Sequence, residues 1–126
     1  MYDITTRTDL GYNETIVKVK GELAKEGFGV LTEIDVKATL KMKLNSDFTD
    51  YIILGACNPH FAKKSLEVDL NIGLLLPCNI IIYRDGAETV VSAINPKEMF
   101  KVVDKKELTT IADEVEARLR RVIASV

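Results

Sequence analysis

Cys57, His60 and Cys78 are the residues of this chain whose types most readily carry chemistry. They are its only histidine and both of its cysteines, and they fall within one apolar stretch, Tyr51 to Tyr83. Each cysteine is followed by asparagine, Asn58 and Asn79, and Cys57 stands in C-x-x-H spacing with His60. Two thiolates and an imidazole suit a soft or borderline metal such as zinc or copper, and three ligands leave one position open. The common zinc patterns supply four ligands in two close pairs, which this chain lacks. A second reading is a thiol-dependent enzyme or redox protein. Cys57 directly precedes Asn58-Pro59, a helix-start signal, and a helix N-terminus favours thiolate, with His60 as the neighbouring base. A third is structural: free cysteine is commonly a small buried hydrophobe, and the dimer is then a scaffold. Asn58 has a sufficient role as a helix cap, worth about 1 kcal/mol. Asn79 has none, because asparagine is disfavoured in a strand. The second Cys-Asn motif is therefore the better place to look for a site.

Other chemistries find little support. Glu114 with Glu116, and Glu67 with Asp69, sit between apolar positions and read as solvated helix faces. Gly27-Phe28-Gly29 precedes a strand, the wrong context for a dinucleotide loop. Arg118, Arg120 and Arg121 fall in the last turns of a helix, where positive charge complements the macrodipole.

The elements that must position these residues follow from periodicity. Residues 2 to 8 alternate and are β-branched, a strand. Tyr12 to Lys25 is a helix with Ile16, Val19 and Leu23 on one face, ended by Gly27; Gly21 inside it suggests a close helix-to-sheet contact. Val30 to Asp35 is a strand, and Asp35 caps a short helix carrying Val36, Leu40 and Leu44. Tyr51 to Ala56 is apolar on both faces, hence covered on both, by helices, loops or a second subunit. Asn58-Pro59 opens a helix with Ala62, Leu66 and Leu70 as its apolar line. Pro77 implies an edge position, a bulge or a strand beginning at Cys78. Asp85-Gly86 makes a hairpin, Glu88 to Ile94 returns, and Asn95-Pro96 opens another short helix. The last helix, Lys106 to Ala124, carries the stripe Leu108, Ile111, Ala112, Val115, Leu119, Val122 and Ile123. The order strand, helix, four strands, helix predicts an α+β domain over residues 1–126, with a mostly antiparallel five-stranded sheet and both long helices on one face. The other face keeps apolar side chains, which predicts a homodimer.

Composition bounds the rest. The chain has 126 residues, 47% hydrophobic and 29% charged, with a net charge of −2. That is a soluble globular composition, and the charge argues against a nucleic-acid partner. No apolar run reaches membrane-spanning length. Met1-Tyr2-Asp3-Ile4-Thr5 has no signal-peptide character, and two cysteines make no disulfide framework. A cytoplasmic protein with free thiols is expected.

Ile53-Leu54-Gly55-Ala56-Cys57-Asn58-Pro59 and Ile72-Gly73-Leu74-Leu75-Leu76-Pro77-Cys78-Asn79, with Glu26-Gly27-Phe28-Gly29-Val30-Leu31 and Val90-Val91-Ser92-Ala93, resemble the bacterial and archaeal family catalogued as domain of unknown function 302. The resemblance spans nearly the whole chain. It implies an α+β fold of TATA-binding-protein-like architecture, generally a dimer, with no settled activity. Its motif positions correspond to Cys57, Asn58, Pro59, Pro77, Cys78 and Asn79. Lys63 departs from it, standing where histidine or tyrosine is expected.

Overall fold

The computed structural model describes residues 1–126. Its five strands form a single antiparallel sheet: β1 (Asp3–Thr8), β2 (Gly29–Asp35), β3 (Tyr51–Cys57), β4 (Cys78–Asp85) and β5 (Glu88–Ile94). The spatial order is β1-β5-β4-β3-β2, so the two Cys-Asn strands, β3 and β4, lie side by side in its interior. Between and after the strands come α1 (Tyr12–Lys25), α2 (Val36–Leu44), α3 (Pro59–Val68), a 3-10 helix (Leu70–Leu75), α4 (Pro96–Phe100) and α5 (Lys106–Ala124). The expected α+β arrangement, with helices packed on a five-stranded sheet, is the one observed. No helix is long and apolar enough to cross a membrane.

Register sorts the side chains into two faces, because residues directly opposite one another in paired strands share a face. Leu54 opposes Ile80, which opposes Ala93, which opposes Ile4. With Ile52, Ile82 and Val91 in the next row, these residues make the sheet side of the core. Its helix side comes from Val19 and Leu23 of α1 and from Val115, Leu119, Val122 and Ile123 of α5. Six of the seven stripe residues of α5 are buried, Ile111 being only partly so. Fully burying a large aliphatic side chain is worth about 1.5–3 kcal/mol, which is why α5 docks.

The other face is open. Ile34 opposes Ile53, which opposes Ile81, and the neighbouring row places Tyr51 against Tyr83 with rings stacked at 5.3 Å. Ile34 on the edge strand is 47% exposed, and Phe48 packs against Tyr51. Beyond them α2 carries no buried residue, with Met42 and Leu44 largely exposed.

Several local expectations hold for the reasons given. Gly27 ends α1 with φ of 85°, Gly86 takes φ of 61° in the β4–β5 turn, and the side chains of Asp35 and Asn95 cap α2 and α4 by accepting from Ala38 N and Lys97 N. One choice left open is resolved, and two expectations need correction. Of the alternatives raised by Pro77, the chain uses the strand that begins at Cys78. The residue sits before an interior strand, where its missing N–H costs no ladder bond. The apolar line of α3 does not run to Leu70, since the helix stops at Val68 and Leu70 is 83% exposed on the 3-10 helix. Ser65 is the buried residue of α3, its hydroxyl satisfied by donating to Phe61 O. Gly21 makes no close contact: a Cβ there meets nothing within 4 Å.

Candidate functional site

The pairing of β3 with β4 decides which candidate residues meet. Ala56 opposes Cys78, so Cys57, the last residue of β3, comes beside the first residue of β4. Both cysteines line one cavity of about 20 Å³, together with Asn58, three phenylalanines (Phe28, Phe61 and Phe100) and Ser65 of α3. Ile111 and Val115 of α5 close it from the helix side. The cavity has room for about one water molecule and is almost wholly apolar in its lining.

Both thiols are free; Cys78 is buried and Cys57 half-buried. Burial pushes Cys78 up to about 11, and the neighbouring Cys57 adds to that shift. Burial raises Cys57 as well. The helix N-terminus expected to activate Cys57 is thus outweighed by desolvation, which disfavours the charged form. Burial favours the neutral thiol at both positions.

His60 does not join them. It lies on the exposed first turn of α3, edge-on to the Phe61 ring at 5.6 Å, outside the cavity lining. No group of three histidine, cysteine or acidic residues is arranged to hold a metal, so Cys57, His60 and Cys78 do not form the three-ligand set their sequence positions suggested. The spacing makes His60 the second residue of α3, where its side chain is exposed. Lys63 is exposed and away from the cavity too.

Asn58 is buried, but it does not cap α3, for its side chain makes no cap hydrogen bond. Instead its Nδ2 donates to Glu26 O at the end of α1, 3.3 Å away. The same carbonyl accepts from Arg118 Nη1 at 2.9 Å, and the Glu26 carboxylate pairs with Arg121. Arg118 also pairs with Glu114 and lies 5.2 Å from the centroid of the Phe61 ring, while Arg120 pairs with Glu116. The arginine cluster is therefore a latch holding the end of α1, the start of α3 and α5 around the cavity. Arg121 holds the Glu26 carboxyl below the usual carboxylate range through its hydrogen bond and charge. Sequence reasoning missed Phe28 and Arg118 as neighbours of the cysteines. The one available signal was Phe28, a lone aromatic between two glycines.

Asn79 points the other way. It is exposed on the open sheet face opposite Gly55, so its amide requires no protein partner. Two shallow concavities flank it, one against Tyr2, Ile81 and Ser92, the other against Leu74, Pro77 and Met99. Gly55 is required where it stands. A Cβ there would collide with Thr32 Oγ1 and lie 2.7 Å from Pro77 Cγ, so the proline ring after the cis Leu76–Pro77 bond packs directly on the glycine backbone. The second Cys-Asn motif is thus split: Cys78 joins Cys57 and Asn58 at the cavity, and Asn79 belongs to the open face.

Comparison with known proteins agrees with this architecture. The sequence matches the family described as "Domain of unknown function DUF302" over residues 4–126. The chain is similar to the crystal structure of an uncharacterized conserved protein DUF302 from Bacillus stearothermophilus, with 32% identity and a TM-score of 0.93. The match covers 99% of this chain and 98% of that one. No curated relative matches. Sequence and structure agree over essentially the whole length, and the chain belongs to the DUF302 family.

Proposed function

We propose that the protein is a homodimeric binding module of a reducing, cytoplasmic compartment, with its small-ligand site at the cavity shared by Cys57, Asn58 and Cys78. The observation that carries this reading is the meeting of both cysteines at one apolar cavity with no general base beside them. A group held protonated by burial and lacking a base is suited to holding a guest rather than to attacking one. Dimerisation is supported by the open face. The row Ile34, Ile53, Ile81 and the Tyr51–Tyr83 stack form a contiguous apolar surface of the kind that marks an interface. In a two-fold dimer the same patch serves both copies, and Asn79 lies at its border.

Native mass spectrometry on protein purified without chelator or affinity tag tests the reading. The expected species is a dimer carrying one small guest per chain, lost from Cys57→Ala. A monomer at micromolar concentration, or a guest retained by Cys57→Ala, sinks it.

A further inference from the structure

Protein interiors leave few voids as large as a water molecule, and this chain keeps one where β3, β4, α3 and α5 meet. Its walls limit what can enter. Ten of the twelve lining residues are hydrophobic, and none is acidic or basic. The two polar ones, Asn58 and Ser65, already direct their donors to Glu26 O and Phe61 O. No buried side-chain nitrogen or oxygen lacks a hydrogen-bond partner, so none there calls for a polar guest. A thiol S–H is only a weak donor. Part of the space exists because two wall positions, Ala56 of β3 and Ala62 of α3, carry only a methyl group. Phe61, Ala62, Leu76 and Ile111 are half-buried, and with them the cavity meets the surface.

We infer that the cavity receives the short uncharged alkyl end, a methyl or ethyl group, of a small molecule. The inference rests on the cavity being the ligand site of the binding module. A volume of about 20 Å³ has room for one or two heavy atoms, so the rest of the guest lies at the half-buried rim. Release of apolar surface from water and dispersion contacts with the three phenylalanine rings hold the alkyl end. No covalent bond forms and no proton moves. An ammonium or carboxylate of the same size would leave water without a compensating partner, and a hydroxyl would lose part of its hydration.

The test follows the backbone amides of the reduced full-length protein by nuclear magnetic resonance while ethane, methanol and methylammonium are titrated in turn. The three have the same number of heavy atoms and differ in polarity and charge. Ethane should shift the amides of Ala56, Ala62, Cys78 and Val115 to saturation. It should bind about 10-fold or more tighter than methanol, because burying an uncompensated hydroxyl is costly, and methylammonium should shift none of them. Ala62→Leu, which fills the cavity from its wall, should abolish the ethane shifts. Lys63→Leu adds the same side chain at an exposed position outside the lining and should keep them. Should Ala62→Leu fail to fold, Ala62→Val decides. The inference is overturned if ethane shows no saturable shift, if methanol or methylammonium binds as tightly, or if the folded Ala62 variant binds ethane like the parent. Native mass spectrometry separates the two proposals. A dimer whose guest has no alkyl end overturns only this inference, and a monomer that binds ethane overturns only the dimeric module.

Discussion

At Gly55 a missing side chain holds two strands and a loop together. The ring of Pro77 and the hydroxyl of Thr32 occupy the space that a methyl group needs. Gly55→Ala is expected to cost about 1–3 kcal/mol or more through forced displacement of its neighbours, read as a lowered urea midpoint; an unchanged midpoint would show that the loop before β4 yields freely. Cys78 makes a different prediction. Its folded pKa, about 11, lies above the ordinary thiol value of 9.0, so between those values the folded chain keeps a proton that the unfolded chain has lost. Stability is therefore level below about pH 9 and falls as the pH rises towards 11. Cys78→Ala should flatten that fall in denaturant titrations at stepped pH, and a slope unchanged by the substitution would contradict it. The convergence of the cysteines was legible in the sequence only as a shared stretch. The roles of their asparagines were not, because capping and strand rules describe local backbone needs. Glu26 O, the partner Asn58 finds, is 32 residues away.

The elements themselves were legible wherever a periodic apolar pattern met a turn signal. α1 and α2 begin and end where periodicity, Asp35 and Gly27 place them, and α5 follows its stripe. Reading failed where the pattern ran on past a change of helix type. Leu70 continues the four-residue spacing of Ala62 and Leu66, yet Asp69 interrupts the helix, accepts from Asn71 N and starts a 3-10 turn. Gly21 failed in the opposite direction. A glycine inside α1 implied tight packing, but the position is exposed and spacious. Gly21→Ala should then stabilise the chain by up to about 1 kcal/mol, the difference in helix propensity. A rise in thermal midpoint is the expected result, and a fall would mean that a partner approaches this face.

For the whole molecule the exposed apolar row matters most. Ile34 lies on edge strand β2, next to Ile53, with half its surface open. Exchanging it for lysine leaves the fold within about 0.5 kcal/mol, as exposed substitutions usually do. It buries a charge in any interface formed there, so Ile34→Lys should shift light-scattering mass from dimer to monomer with an unchanged circular dichroism spectrum. A dimer that survives the substitution would place the interface elsewhere.

Strands β1 and β2 follow one another in sequence yet occupy opposite edges of the sheet, with α1 spanning between them. The first strand therefore waits for the fifth: Asp3 pairs with Ile94, and Ile4 finds its neighbour only at Ala93. A growing chain must hold β1 unpaired until most of the domain has been made, and such long-range pairing is slow to form. In refolding followed by pulsed hydrogen exchange, amides of β1 should gain protection after those of β3 and β4, whose pairing closes a much shorter loop. Protection of β1 first would reverse this order of assembly. During that wait the solubility of the nascent chain depends on its own charges and on whatever escorts it.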